Sequence, residues 1–155
     1  VLDIGVGEGV FTFAAHDRLV NLGASVSNAQ HQIYGTEIYR PAYNAFIRQA
    51  AQFQLNFPNI HQANFFSTDF PAIDVALGNP PYVRRILIRN INGVRKKVLA
   101  SSTTINEQEL SRLTDLYIYF LLQASSLLRE GGRLAVNYCR LLAKCKIRAN
   151  LQKNS

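Results

Sequence analysis

The sequence predicts an α/β fold with a mostly parallel sheet and helices on both faces, and three observations support it. Short apolar runs alternate with segments of helical spacing. Most of these runs end at glycine, proline or an acid, and the chain opens in the order strand, glycine loop, helix. Val1-Leu2-Asp3-Ile4-Gly5 has the composition of a strand already under way. Gly5, Gly7 and Gly9 then predict a tight turn, and residues 10–22 (VFTFAAHDRLVNL) a helix. Residues 32–38 (QIYGTEI) read as the second strand, with Pro41 suited to the first turn of the helix that follows. Residues 59–66 form a weaker third strand and residues 74–78 the fourth. Residues 115–128 (DLYIYFLLQASSLL) are the clearest helix; Glu130-Gly131-Gly132 supply its left-handed stop and residues 133–138 a fifth strand. Strands alternating with helices at this pace imply right-handed parallel crossovers.

A chain of 155 residues with 48% apolar content suits one globular core. Its longest apolar run, residues 116–128, is interrupted by Gln123 and is shorter than the roughly 18 residues that span a bilayer. With no run resembling a signal peptide, a cytoplasmic protein without membrane partners is expected. Cys139 and Cys145 lack paired CxxC spacing and read as reduced thiols. His16, His31 and His61 lack metal-ligand spacing and are expected at the surface or at caps, so no metal site is predicted. Tyr117, Tyr119 and Phe120 are expected in the core.

The net charge of +7 is unevenly distributed. Residues 1–83 carry three arginines against six acids, whereas residues 84–155 carry fourteen Lys and Arg against four acids. That asymmetry suits a polyanion partner for the second half, because neutralised phosphates release counterions. Residues 83–113 form a long basic insertion, in which Arg84, Arg85, Arg89, Arg95, Lys96 and Lys97 are the expected phosphate contacts. Residues 139–155 read as a basic C-terminal tail.

Three stretches bear on chemistry. In Asp3-Ile4-Gly5-Val6-Gly7-Glu8-Gly9 the glycines allow close backbone approach to a ligand at a helix N-terminus. The third glycine falls two residues after the second, not three as in a dinucleotide fingerprint, and Asp3 would repel a pyrophosphate. The acid suits a ligand with an ammonium and a sulfonium. Glu37 ends the second strand, where its carboxylate can accept from both hydroxyls of a ribose. Asn64 and Phe65 end the third, where an amide and an aromatic can hold an adenine by edge and face; Asp69 is a rival for the edge.

Asn79-Pro80-Pro81-Tyr82 follows the fourth strand, and the carboxyl edge of an open parallel sheet is where ligands bind. A conjugated exocyclic amine is a poor nucleophile because its lone pair is delocalised into the ring. The Asn79 side-chain oxygen and the Pro80 carbonyl, rigidly presented, can accept from its N–H groups and localise that pair. Tyr82 can stack on the face of an extruded base.

Taken together, these residues resemble the S-adenosylmethionine-dependent DNA adenine-N6 methyltransferases of restriction-modification systems, in which NPPY is followed by VR as at Val83-Arg84. The resemblance covers about residues 1–138. It implies a Rossmann-like methyltransferase core truncated at both ends, S-adenosyl-L-methionine as cofactor, and duplex DNA with a flipped adenine as substrate. It further implies a target-recognition region and a nuclease as partners. On that pattern Asp3, Gly5, Gly7 and Gly9 contact the methionine portion, Glu37 the ribose, Asn64 and Phe65 the adenine, and Asn79, Pro80, Pro81 and Tyr82 the target base. The family usually has an acid where Asn64 stands, a helix before the position of Val1, and a further helix and strand hairpin beyond Tyr138. Two alternatives remain open: methylation of a protein glutamine amide, for which the same acceptors would serve, and a non-catalytic remnant.

Overall fold

The computed structural model describes residues 1–81, Gly93, Val98 and residues 116–137. Five strands form one parallel sheet in the order β3-β2-β1-β4-β5. They are β1 (Leu2–Asp3), β2 (Tyr34–Thr36), β3 (Ile60–His61), β4 (Ile73–Gly78) and β5 (Leu128–Val136). Strand order reverses direction between β1 and β4, so their carboxyl ends flank the crevice where open α/β sheets bind ligands. In register, Asp3 lies beside Gly35 on one side and Leu77 on the other.

Helices α1 (Val10–Asn21) and α3 (Arg40–Gln52) cover one face. There Val6, Ala15, Ile33, Phe46, Ala50, Phe57 and Ile60 form an apolar cluster. Helix α4 (Leu116–Ser126) covers the other, packing Tyr119, Phe120 and Ala124 against Leu2, Ile4, Ile73 and Ala76. Tyr117, Tyr119 and Phe120 are all buried, as their place in an apolar helix predicts. Among the described residues no helix is long and apolar enough to cross a membrane.

The structure departs from the sequence-based expectation at five places. A short helix, α2 (Val26–His31), follows α1 where no element is expected; Ser25 caps it by accepting from the Asn28 N–H at 3.2 Å, and Ala29 is buried beneath it. Strand β2 is three residues, because its neighbours β1 and β3 each offer only two for pairing. The third strand stops at His61. Asn64 accepts from the Phe66 N–H at 3.0 Å and starts a 3-10 turn at Phe65–Ser67, which folds both phenylalanines inward. The residues Glu130, Gly131 and Gly132 do not end α4; they belong to a bulge in β5, where the four residues between Leu128 and Arg133 lie opposite the single residue Asp74 between Ile73 and Val75. Finally His16 is buried, 5% exposed, because it lies one turn beyond Thr12 on the face of α1 turned to the sheet. His31 and His61 are exposed.

Gly9 joins the loop to α1 and cannot be replaced without strain. Its φ of 97° lies in the left-handed region, and an added Cβ would come within 2.5 Å of Phe46 and 2.7 Å of Phe13. Left-handed backbone costs a Cβ-bearing residue about 1 kcal/mol, and displacing packed aromatic rings about 1–3 kcal/mol more. Gly9→Ala should therefore lower stability to chemical denaturation by about 2–4 kcal/mol.

Candidate functional site

Asp3 ends β1 with its side chain on the α1 face, fully buried. Its Oδ2 accepts from the Thr12 hydroxyl of α1 at 2.8 Å, and the Gly5 N–H points at Oδ1 across a longer 3.4 Å. Glycines on both neighbouring strands make room for it. A Cβ at Gly78 would stand 3.1 Å from Asp3 Oδ1, and one at Gly35 would stand 3.5 Å from Asp3 Cβ. Burial pushes its carboxyl up to about 6 from its ordinary 3.8, opposed by the Thr12 hydroxyl and the Gly5 and Thr12 N–H groups and reinforced slightly by Glu37.

Glu37, just past β2, holds the loop from the other side. Its Oε2 accepts from the Gly7 N–H at 2.9 Å, while Oε1 accepts from the Tyr39 N–H at 2.7 Å. These bonds fix the carboxylate's direction and leave each oxygen a second lone pair. The loop's course is further set by Val6 N–H to the Thr36 carbonyl and Gly9 N–H to the Val6 carbonyl. A Cβ at Gly7 would meet nothing within 4 Å, so open space adjoins the loop there.

The exit of β4 lies beside this loop. Ile4 donates to the Leu77 carbonyl at 2.9 Å, and the Asn79 carbonyl is 3.8 Å from where a Gly5 Cβ would be. Asn79 and Pro81 are exposed, whereas Pro80 is fully buried. The structure thus brings the glycine loop, Asp3, Glu37 and Asn79 together at one switch point. Asn64 sits on the same sheet edge beyond β3, exposed, with its oxygen engaged by the turn it caps.

Two expectations about individual side chains change. Asp3 is sealed under the loop and presents no surface to a ligand; its oxygens face Thr12 and Gly5. Phe65 is a core residue, 4% exposed and stacked on Phe120 at 5.0 Å, so its face is covered and not open to an adenine. Tyr82, the basic set Arg84, Arg85, Arg89, Arg95, Lys96 and Lys97, both cysteines and the 139–155 tail lie outside the described residues. Among the described residues no cluster of His, Cys, Asp and Glu could hold a metal ion.

Sequence reasoning missed Thr12, Gly35 and Gly78. A threonine on the buried face of an otherwise apolar helix, and a glycine inside each strand flanking β1, were the available signals.

A parallel sheet reversing at β1/β4, with a glycine loop over a buried acid at the reversal, is a Rossmann-like methyltransferase fold. The chain belongs to the Eco57I restriction-modification methylase family, whose model matches residues 23–138. Two solved structures share the fold. One is the type I restriction-modification system methyltransferase subunit from Streptococcus thermophilus, at TM-score 0.55 and 19% identity over 87% of this chain and 28% of that one. The other is an rRNA methylase from Streptococcus thermophilus, at TM-score 0.50 and 14% identity over 90% of this chain and 61% of that one. The chain therefore spans less than two thirds of either neighbour's length. No curated protein matches it.

The raised carboxyl of Asp3 has a definite consequence for stability. Protonation favours the native state, so its contribution is full below its ordinary value of 3.8 and is lost as pH rises through about 6. Relative to Asp3→Asn, the unliganded protein should lose roughly 2–3 kcal/mol between about pH 4 and pH 7. Denaturant titrations of both proteins across that range measure the difference, and parallel curves would refute it.

Proposed function

We propose that this chain is the catalytic core of a DNA methyltransferase that uses S-adenosylmethionine and methylates the N6 amino group of adenine. The observation that carries the reading is the meeting of the glycine loop, Glu37 and Asn79 at one switch point, in a chain of a restriction-modification methylase family. The residues present fit the cofactor. A buried acid opposes a pyrophosphate and favours a cation, open space adjoins Gly7, and Glu37 keeps lone pairs for two ribose hydroxyls. When bound, S-adenosylmethionine supplies a methyl group on a sulfonium, an electrophilic carbon that needs no metal or covalent enzyme intermediate.

The protein's task is then to make the adenine amine nucleophilic. Asn79 stands exposed at the exit of β4, where its side-chain oxygen can accept from one N6–H. Such an acceptor draws the nitrogen lone pair out of conjugation as the new N–C bond forms, which is stabilisation of developing positive charge by a fixed dipole. Pro80, whose ring is fully buried and so rigidly held, gives the second acceptor through its carbonyl. Asn79 would thus steady the charge that grows on N6 as it accepts the methyl group, and the surplus N6 proton would leave to solvent. Tyr82 stacks on the flipped base, Asn64 meets the cofactor's adenine edge, and Arg84, Arg85, Arg89, Arg95, Lys96 and Lys97 contact DNA phosphates. A target-recognition region or subunit supplies sequence choice, and a nuclease is the natural companion in restriction-modification.

Transfer of labelled methyl from S-adenosylmethionine to duplex DNA by the full chain tests this reading. Label appearing at N6 of adenine supports it; label appearing only on protein would replace it with glutamine methylation. Asn79→Ala should slow transfer by about 100-fold or more with cofactor affinity changed less than about threefold, since the lost acceptor matters most in the transition state. Glu37→Gln should instead weaken cofactor binding about tenfold, roughly the loss of one charge-assisted hydrogen bond, as read by calorimetry.

A further inference from the structure

We infer that the backbone amide of Asn137, at the end of β5, is a positioning group for the reaction: by holding the Gly78 carbonyl it fixes the direction in which Asn79 leaves β4. This rests on the acceptor role given to Asn79 above and names what keeps that acceptor aimed. Past the bulge, β4 and β5 pair in regular register, from Val75 with Arg133 to Gly78 with Val136. That register sets Asn137 one step beyond the last pair, where its N–H donates to the Gly78 carbonyl at 3.0 Å. On the other side of β4, the Leu77 carbonyl accepts from the Ile4 N–H at 2.9 Å. The two carbonyls before Asn79 are therefore tied to different strands, and the proline after it, Pro80, is fully buried.

Gly78 needs such a tie. Its φ of 144° lies where residues with a Cβ seldom go, and an added Cβ would stand 2.9 Å from Ile4 Cγ1, 3.1 Å from Asp3 Oδ1 and 3.2 Å from the Ile4 nitrogen. Glycine meets that steric demand but leaves the chain loose, because it has more conformations to lose on folding than any other residue. A hydrogen bond to its carbonyl fixes the rigid peptide plane that also carries the Asn79 nitrogen. With that plane fixed, the Asn79 carbonyl comes to lie 3.8 Å from where a Gly5 Cβ would be, beside the glycine loop. An acceptor stabilises developing charge best when it is held in place before reaction, and a misplacement of about 1 Å can cost about 100-fold in rate. Asn137 thus acts by its backbone, through Asn79.

Two variants separate this amide from its side chain. Asn137→Ala and Asn137→Pro both lack the carboxamide, but only proline lacks the N–H. With the full chain, labelled S-adenosylmethionine and genomic duplex DNA free of adenine methylation, Asn137→Pro should turn over about 10- to 100-fold more slowly than Asn137→Ala. Their cofactor affinities, read by calorimetry, should differ less than about threefold, since the cofactor does not depend on the Asn79 acceptor. In an Asn79→Ala background, proline in place of alanine at position 137 should cost less than about threefold in rate, because the group being aimed is gone. A general loss of packing would instead slow both backgrounds alike. Equal rates for Asn137→Ala and Asn137→Pro, or a penalty of the same size in both backgrounds, would overturn the inference and leave the methyltransferase reading intact. No transfer to DNA by the unaltered chain would overturn that reading and the inference with it. Should Asn137→Pro not fold, amide hydrogen exchange in the unaltered chain decides: the Asn137 N–H should exchange as slowly as the paired amides of β5, and exchange at the rate of an unbonded amide would overturn the inference.

Discussion

One carboxylate is sealed where three strands end, and the geometry of the site follows from making room for it. Asp3 must face α1 because Leu2 and Ile4, its neighbours in the strand, are committed to the core under α4. Facing α1, it meets Thr12 as donor and needs glycine on the strand to each side, which Gly35 and Gly78 provide. Those close approaches bring the loop after β1 against the exits of β2 and β4. Glu37 then reaches Gly7, and the Asn79 carbonyl comes to lie beside Gly5. A buried acid with only neutral donors is a cost to folding. It is tolerable here because two apolar layers, one on each face, hold the sheet that carries it.

Those two layers also divide the labour among the aromatic residues. On the α1/α3 face, Phe13, Phe46 and Phe57 pack ring to ring at 5.6–5.9 Å and fix the turn at Gly9. On the α4 face, Phe65 and Phe66 pack on Phe120 and anchor the turn that Asn64 caps. These packed rings are thus framework, while Tyr39 and Phe53 are exposed. The exposed ion pair Arg129–Asp74, at 2.9 Å, adds little to this, since side chains more than half exposed are screened by water.

Much of the architecture was legible because it rests on local signals. Apolar runs ended by glycine, an acid or proline marked three of the five strands near their true ends, and Pro41 marked the start of α3. The β3 turn was less legible. Asn-Phe-Phe reads as strand by propensity, but the Asn64 side chain satisfies a backbone donor locally, and both rings are needed under α4. Glu130-Gly131-Gly132 reads as a helix stop for the same reason it serves as a bulge: Gly131 takes a φ of 74°, which suits either role. Only pairing with β4 distinguishes them.

The sequence by itself determined the order of strand, loop and helix, the presence of an acid before three alternate glycines, and the asparagine at a proline-locked strand end. These follow from side-chain period, backbone stiffness and the conformational range of glycine, all of which act over a few residues. Tertiary structure alone decided that Asp3 is sealed beneath the loop, that Phe65 belongs to the core, and that Glu37 and Asn79 meet the glycine loop. Each of those depends on which strands become neighbours and which face each residue presents, a matter of register between segments about 30 to 75 residues apart.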